Sequence, residues 1–373
     1  MLKINPQRVL IFRIGELGDT IIALPALRAI RQAFPAALIS LLGNVDTEAR
    51  HVTPDQILPD GLVDEWLAYR SRDFHSTFAD RLKLLRRLRR AQFDLLVYLA
   101  PRIRSREDVR RDLLFFRLAG VSKVIGADAW QPLPSRNGGP LPVVEHETDH
   151  LLQRLSRGGI EVPEIRAARF ELNLTTAEER SAELWLKESL PAVGVNRIVG
   201  FGPSSKWPSK VWPEERFAEL GSRLIKFAEV FPIVFGGLED RALGERLIQT
   251  WGRGANAAGA LSVRAAAAAL KHCDAYVGND TGTMHLAAAI GTRCVGIMAA
   301  IDWPGRWNPY GQGHLVLRRT VPCEGCLLRV CQREGMKCLK EIVVDDVFDA
   351  CCRVLEGESA ESSRPLVRGV ATA

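Results

Sequence analysis

The sequence predicts an α/β protein of two Rossmann-like domains that face each other across a cleft. Three observations lead there. Short Val-, Ile- and Leu-rich runs alternate with amphipathic helical stretches along almost the whole chain. The alternation restarts near residue 174, and 373 residues suffice for two domains of ordinary size. Near-continuous apolar strands separated by helices mean parallel sheets covered on both faces. The chain is 47% hydrophobic and 25% charged, which excludes a disordered or collagen-like chain. No run approaches the ~18 apolar residues of a membrane span, and nothing near Met1 reads as a secretory signal, so a cytoplasmic location is expected.

In order, the first series reads as a buried strand at 8–13, a helix at 20–34 and a strand at 37–42. A strand at 93–99, a helix near 108–118 and a strand at 123–126 follow. The second series opens after a helix at 176–188, with strand 197–201, helix 214–227, strand 231–235 and helix 241–251. It continues with helix 263–270, strand 273–278, a helix from Gly282, strand 292–297 and a strand-like run at 315–317. Residues 356–373, rich in Gly, Glu, Ser, Ala and Thr, read as a disordered tail.

The first strand runs into Gly15-Glu-Leu-Gly-Asp19. This is where a dinucleotide fold places G-x-G-x-x-G, but the spacing differs, and Glu16 and Asp19 would repel a pyrophosphate at the helix start. Phosphates are therefore not expected here. Asp19 reads either as the N-cap of the following helix or as a general base at the carboxyl edge of the sheet. In the second half, Asn279-Asp-Thr-Gly-Thr-Met-His285 follows a strand; Asp280 can cap the next helix while Thr281, Gly282 and Thr283 leave amides open to an anion. The loop 202–213 supplies Ser204, Ser205, Lys206 and Lys210 between prolines, and with the helix start it suggests a diphosphate clamp. Glu239 and Asp240, after Gly236-Gly237, are placed either to accept ribose hydroxyls or to satisfy a first helical turn.

Between Arg81 and Arg111 eleven cations face only three acids. That is either a solvated helix face or a surface for anionic lipid headgroups or an acidic saccharide; without interleaved aromatics, nucleic acid is not expected. Cys323, Cys326, Cys331 and Cys338 have a spacing that a structural zinc or an iron–sulfur cluster could use, with reduced thiols or a disulfide as the other readings.

Together these segments resemble glycosyltransferase family 9, the lipopolysaccharide heptosyltransferase family. The resemblance rests on Arg8-Val-Leu-Ile-Phe-Arg-Ile-Gly-Glu-Leu-Gly-Asp19 with Leu24-Pro-Ala-Leu27, on Lys210-Val-Trp-Pro213, and on Gly236-Gly237. Gly278-Asn-Asp-Thr-Gly282 with His285 and the Cys-rich segment complete it, in the family's order over roughly residues 8–350. It implies a GT-B fold, with an acceptor-binding domain at 1–174 and a donor-binding domain at 175–355. It implies inverting transfer from a nucleotide sugar, typically ADP-L-glycero-D-manno-heptose, to a lipid-linked saccharide, with no catalytic cofactor; the basic stretch 81–111 is what suggests peripheral contact at the inner membrane face. By position it makes Asp19 the base and Lys210 the phosphate lysine, and Asp280, Thr281 and Gly282 the diphosphate loop with His285 a turn inward. Ser205 falls on a donor-contacting hydroxyl, Glu239 near the ribose acid and Leu261 on the adenine contact. Another nucleotide sugar, a binding protein that has lost transfer, and a nicotinamide-dependent dehydrogenase are the competing readings; the missing G-x-G-x-x-G counts against the last.

Overall fold

The computed structural model describes residues 4–45, 52–70, 77–135, 138–192 and 194–357. The chain divides into two compact units. The first comprises Met1–Ser181 with two later excursions, Ser262–Ala268 and Trp303–Trp307; the second comprises Ala182–Leu261, Ala269–Asp302 and Asn308–Ala373. Of the tail expected at 356–373, everything beyond Gly357 lies outside the described residues.

The first unit contains β1 (Arg8–Phe12), α1 (Leu17–Ile22), α2 (Leu24–Ala33), β2 (Leu38–Val45) and β3 (Glu65–Arg70). α3 (Phe78–Ala91), β4 (Leu95–Tyr98), α4 (Arg106–Leu118), β5 (Val124–Ile125) and α5 (Glu147–Arg157) follow, and α6 (Thr176–Ser189) crosses the boundary. All pairings are parallel, in the order β3-β2-β1-β4-β5. β1 is central because Val9, Leu10 and Ile11 are wholly buried, as a strand covered on both faces demands.

The second unit holds β6 (Arg197–Gly202), α7 (Glu214–Ala228), β7 (Val230–Val234), α8 (Arg241–Trp251) and β8 (Ala255–Asn256). After α9 (Val263–Leu270), most of which falls in the first unit's excursion, it continues with β9 (Ala275–Asn279), α10 (Gly282–Ala289), β10 (Cys294–Met298), β11 (Leu315–Arg318), α11 (Lys337–Lys340) and α12 (Val344–Leu355). Its parallel sheet runs β11-β10-β9-β6-β7-β8. In both sheets the order reverses beside the first strand of the unit, between β1 and β4 and between β6 and β9. Such switch points open a crevice at the carboxyl ends of the strands, where α/β folds bind their ligands.

Three differences from the sequence reading have local causes. The expected helix at 20–34 is two helices, because Pro25 cannot donate its amide and the first helix closes at Ala23. β3 was not foreseen: it is an edge strand with Trp66 and Leu67 among charged neighbours, and its pattern lacks the apolar run of a central strand. α5 was not foreseen either: its first turn is polar, yet Glu147, Thr148, Asp149 and His150 are all buried.

α7 and α8 pack through Gly221, where a Cβ would stand 2.2 Å from Trp251 Cε2. Trp251 is further held by its indole N–H on the Ala218 carbonyl at 2.9 Å. Gly221→Val should therefore destabilise the second unit by about 1–3 kcal/mol, visible as a lowered midpoint in thermal or urea unfolding.

Candidate functional site

At the end of β1 the chain turns through Gly15, whose φ of +149° and close approach to Asp19 leave no room for a side chain; a Cβ would lie 2.2 Å from Asp19 Cγ. Glu16 is the N-cap of α1, so Asp19 is the third helical residue and not the cap that one of its two readings made it. Its Oδ2 accepts the Glu16 amide at 2.9 Å and its Oδ1 accepts Arg13 Nη2 at 3.2 Å. The side chain keeps 22% of its exposure and opens on a shallow recess with Thr20, Asn44 and Trp66. Burial lifts the proton affinity of the Asp19 carboxyl above the ordinary aspartate range, although Arg13 and the Glu16 amide oppose it.

Arg13 is buried and also donates Nη1 to the Leu99 carbonyl at 3.0 Å. The same Nη1 lies 3.8 Å from Glu147 Oε1, and Glu147 Oε2 accepts Arg306 Nε at 2.9 Å. Arg13, Glu147 and Arg306 had no assigned role in the sequence reading. Only Arg13 carried a signal there, as a cation ending an apolar strand; Glu147 and Arg306 are far apart in sequence.

In the second unit the loops after β6 and β9 converge because those strands are neighbours at the switch point. Lys210 Nζ donates to Asp280 Oδ2 at 2.6 Å, and His285 Nε2 lies 3.5 Å from Asp280 Oδ1. Asn279, wholly buried, ties the loops together by accepting the Trp212 amide at 3.0 Å and donating to the Pro203 carbonyl at 2.9 Å. Burial would raise the Asp280 carboxyl, but Lys210 and His285 outweigh it and hold the group well below the usual carboxylate range. Asp280 does not cap α10: Thr281 does, by extended backbone alone, and Asp280 lies one residue earlier. The first amides of α10, from Gly282 and Thr283, point out of the helix start as the ends of helices leave them.

The structure therefore brings Lys210, Asp280, Thr281, Gly282 and His285 together. Ser205 sits on the same loop as Lys210, where its Oγ accepts the Trp207 amide at 3.4 Å. Glu239 is exposed in a short 3-10 turn, while its neighbour Asp240 is occupied by the Gly237 amide at 2.8 Å and the Ser204 hydroxyl. Leu261 is half-buried in the segment between β8 and α9.

Cys323, Cys326, Cys331 and Cys338 lie near one another, with Cys338 facing the other three thiols. Among the described residues no group of three or more Cys, His, Asp or Glu side chains has the arrangement of metal ligands, and all eight cysteines are free thiols. Cys331 Sγ instead donates to the Arg333 carbonyl at 2.7 Å and accepts the Met336 amide, and burial raises the Cys338 thiol.

Residues 154–337 match the model of "Glycosyltransferase family 9 (heptosyltransferase)". The chain is 24% identical over 338 residues to lipopolysaccharide heptosyltransferase 1 of Pseudomonas aeruginosa, covering 87% of each. In fold it is similar to a family 9 glycosyl transferase from Veillonella parvula, with a TM-score of 0.67, 18% identity and coverage of 96% and 99% of the two chains. It is also similar to the E. coli ADP-heptose LPS heptosyltransferase II, with a TM-score of 0.63, 18% identity and coverage of 94% and 99%. The protein is a glycosyltransferase of the GT-B class. Over residues 154–337 it matches glycosyltransferase family 9, and it is similar to lipopolysaccharide heptosyltransferases.

The Lys210–Asp280 pair makes a pH-dependent contribution with a definite sign. A carboxyl held down in the folded state stabilises the protein above its unfolded value of 3.8 and loses that contribution as pH falls further. Lys210→Met should therefore cost about 3 kcal/mol at neutral pH, by leaving Asp280 buried with His285 as its remaining partner. The difference from wild type should shrink below about pH 4 in chemical unfolding measured across pH.

Proposed function

We propose that this chain is an inverting transferase that moves a sugar from a nucleoside diphosphate donor to a lipid-linked saccharide. The donor is ADP-L-glycero-D-manno-heptose and the acceptor a lipopolysaccharide core or its precursor. The observation that carries this reading is Asp19: a carboxylate aimed by Arg13 and the Glu16 amide, open on one side to a recess, with its proton affinity raised toward working pH. Support for the donor comes from the E. coli relative, whose name carries ADP-heptose.

In this reading the acceptor hydroxyl gives its proton to Asp19 as its oxygen bonds to the anomeric carbon from the face opposite the diphosphate. The old carbon–oxygen bond breaks, its electron pair leaves with the diphosphate, and the configuration inverts through an oxocarbenium-like state. The leaving charge is met by Lys210 and the amides of Gly282 and Thr283 at the start of α10. Asp280 directs Lys210 rather than touching phosphate itself, because a carboxylate would repel it, and His285 braces Asp280. Ser205 contacts the donor, Glu239 accepts ribose hydroxyls and Leu261 packs on the adenine. Residues 1–174 then serve the acceptor and 175–355 the donor, and the family's chemistry needs no further cofactor.

The basic stretch gives the acceptor side its membrane partner. Of its eleven cations, Arg102 and Arg104 turn inward to Glu145 and Asp112, whereas the six on α3 and Arg106, Arg110 and Arg111 on α4 are exposed. Phe78, Leu114 and Leu118 are exposed beside them. Among the described residues no helix is long and apolar enough to cross a membrane. The surface suits peripheral binding at the inner leaflet from the cytoplasmic side.

Mass spectrometry of products from a panel of ADP-, GDP- and UDP-sugars, offered with core oligosaccharide, tests the assignment. ADP-heptose should be the donor consumed, and Asp19→Asn should lower the rate about 10²–10⁴-fold; unchanged turnover in that variant would refute the base. At about 1 kcal/mol per cation near a charged bilayer, reversing Arg86, Arg89 and Arg110 to Glu should weaken co-sedimentation with phosphatidylglycerol vesicles about a hundredfold or more. Neutral phosphatidylcholine vesicles should bind neither protein appreciably.

A further inference from the structure

The charges behind Asp19 are not a simple pair. Four side chains form a row of alternating sign: Arg306, Glu147, Arg13, Asp19. The far end is built with particular care. Residues 303–307 leave the rest of the second half and join the first unit. There the Val144 amide donates to the Pro304 carbonyl at 2.9 Å, and the Trp303 indole donates to the Pro134 carbonyl at 3.1 Å. Gly305, at φ +91°, lets the turn pass where a Cβ would meet the Val144 carbonyl at 2.3 Å. Glu147 and Arg306 then hold each other twice, since the Glu147 amide donates to the Arg306 carbonyl at 3.1 Å in addition to the side-chain bond.

Glu147 is 0% exposed, and its Oε1 has no hydrogen-bond partner; it faces the Arg13 guanidinium at 3.8 Å. Burying a carboxylate is costly, and a fold retains one where charges around it offset the cost. Arg306 alone would satisfy Glu147 through Oε2. The unbonded oxygen directed at Arg13 is what that pair does not explain.

We infer that Glu147, anchored by Arg306, is a positioning residue for the base: it shares the charge of Arg13, so that Arg13 can aim the Asp19 carboxylate without quenching its basicity. This inference rests on the reading of Asp19 as the base. A carboxylate facing an undivided guanidinium holds its charge too well to accept a proton readily. With Glu147 present, two cations stand against two anions, and Asp19 is oriented at little cost to its proton affinity. The raised proton affinity of Asp19 agrees, with Glu147 among the groups that raise it. Glu147 itself is lifted by burial, but Arg306 and Arg13 outweigh that and hold it at about 2, so it stays ionised through the range in which Asp19 titrates.

Asp19 itself is acted on by the other three charges of the row and by one backbone amide, while His150 and Arg154 act on the row from behind Glu147. From the β1 end Asp19 faces Arg13, from its own helix Glu16, from α5 Glu147, and from the 303–307 turn Arg306. Behind Glu147, His150 is pushed by burial to about 3 and is neutral; its Nδ1 lies 3.1 Å from Glu145, which also pairs with Arg102. Arg154 is spent on the carbonyls of Tyr98, Ala100 and Gly126.

The test is the sign of two shifts. Full-length protein is prepared with isotope-labelled aspartate, and the Asp19 carboxyl resonance is assigned by its loss in Asp19→Asn. Glu147→Gln should move the Asp19 titration down, and Arg306→Gln should move it up, each on the order of one pH unit. The acid limb of kcat/KM, measured with the donor that the panel identifies, should move in the same directions. Arg306→Lys keeps the charge and should hold the titration near wild type. If Glu147→Gln does not fold, the contrast between the two Arg306 variants carries the same sign test. Titrations unmoved, or displaced in one common direction by both glutamines, would overturn the positioning role. Asp19→Asn with wild-type turnover would instead sink the base while leaving the charge row to be judged on its titrations alone.

Discussion

A parallel sheet whose strand order reverses has one place where adjacent loops part, and ionisable groups set there are half out of water. This constraint organises both units. Whatever carboxylate stands at such an edge must either be neutralised by a cation or hold its proton more tightly, and the two units take different courses. Asp280 is pinned by Lys210 and His285 and kept ionised. Asp19 is aimed by Arg13, yet burial makes it hold a proton more tightly than an ordinary aspartate does.

That contrast matches the two tasks of a displacement that transfers a sugar. A leaving diphosphate needs fixed positive charge and open amides, and a carboxylate in their midst is tolerable only if it is committed to the lysine it orients. An attacking hydroxyl needs a proton acceptor whose affinity lies near working pH, and a fully committed carboxylate would fail at this. The same residue type thus serves as a strut in one unit and is proposed as a base in the other, and the partners make the difference.

The basic surface shows a comparable division. Eleven cations look alike in the sequence, but Arg102 and Arg104 are structural, bound to Glu145 and Asp112, while the helix-borne ones face solvent. Counting charges identified the region, and only the fold separated the cations that face solvent from those consumed internally.

The sequence by itself determined the two α/β series, because a central parallel strand must be apolar on both faces and such runs as 8–12 and 275–279 admit little else. It also determined that Asp19, Lys210 and Asp280 stand at carboxyl ends of strands, since each directly follows such a run or its loop. It could not show which cap is which: Glu16 and Thr281 take the roles that one reading gave Asp19 and Asp280, because capping depends on backbone angles at the entry to the helix. Nor could spacing decide the four cysteines, whose thiols do not assemble as a ligand set among the described residues. Edge strand β3, of whose described side chains only that of Leu67 is buried, lacks the apolar run of a central strand, and the polar α5 escaped pattern reading because its burial comes from distant partners rather than from local periodicity. Glu147 and Arg306 meet only when residues 303–307 return to the first unit. Coulombic balance acts through space, so the setting of a carboxylate's proton affinity was left to the tertiary structure.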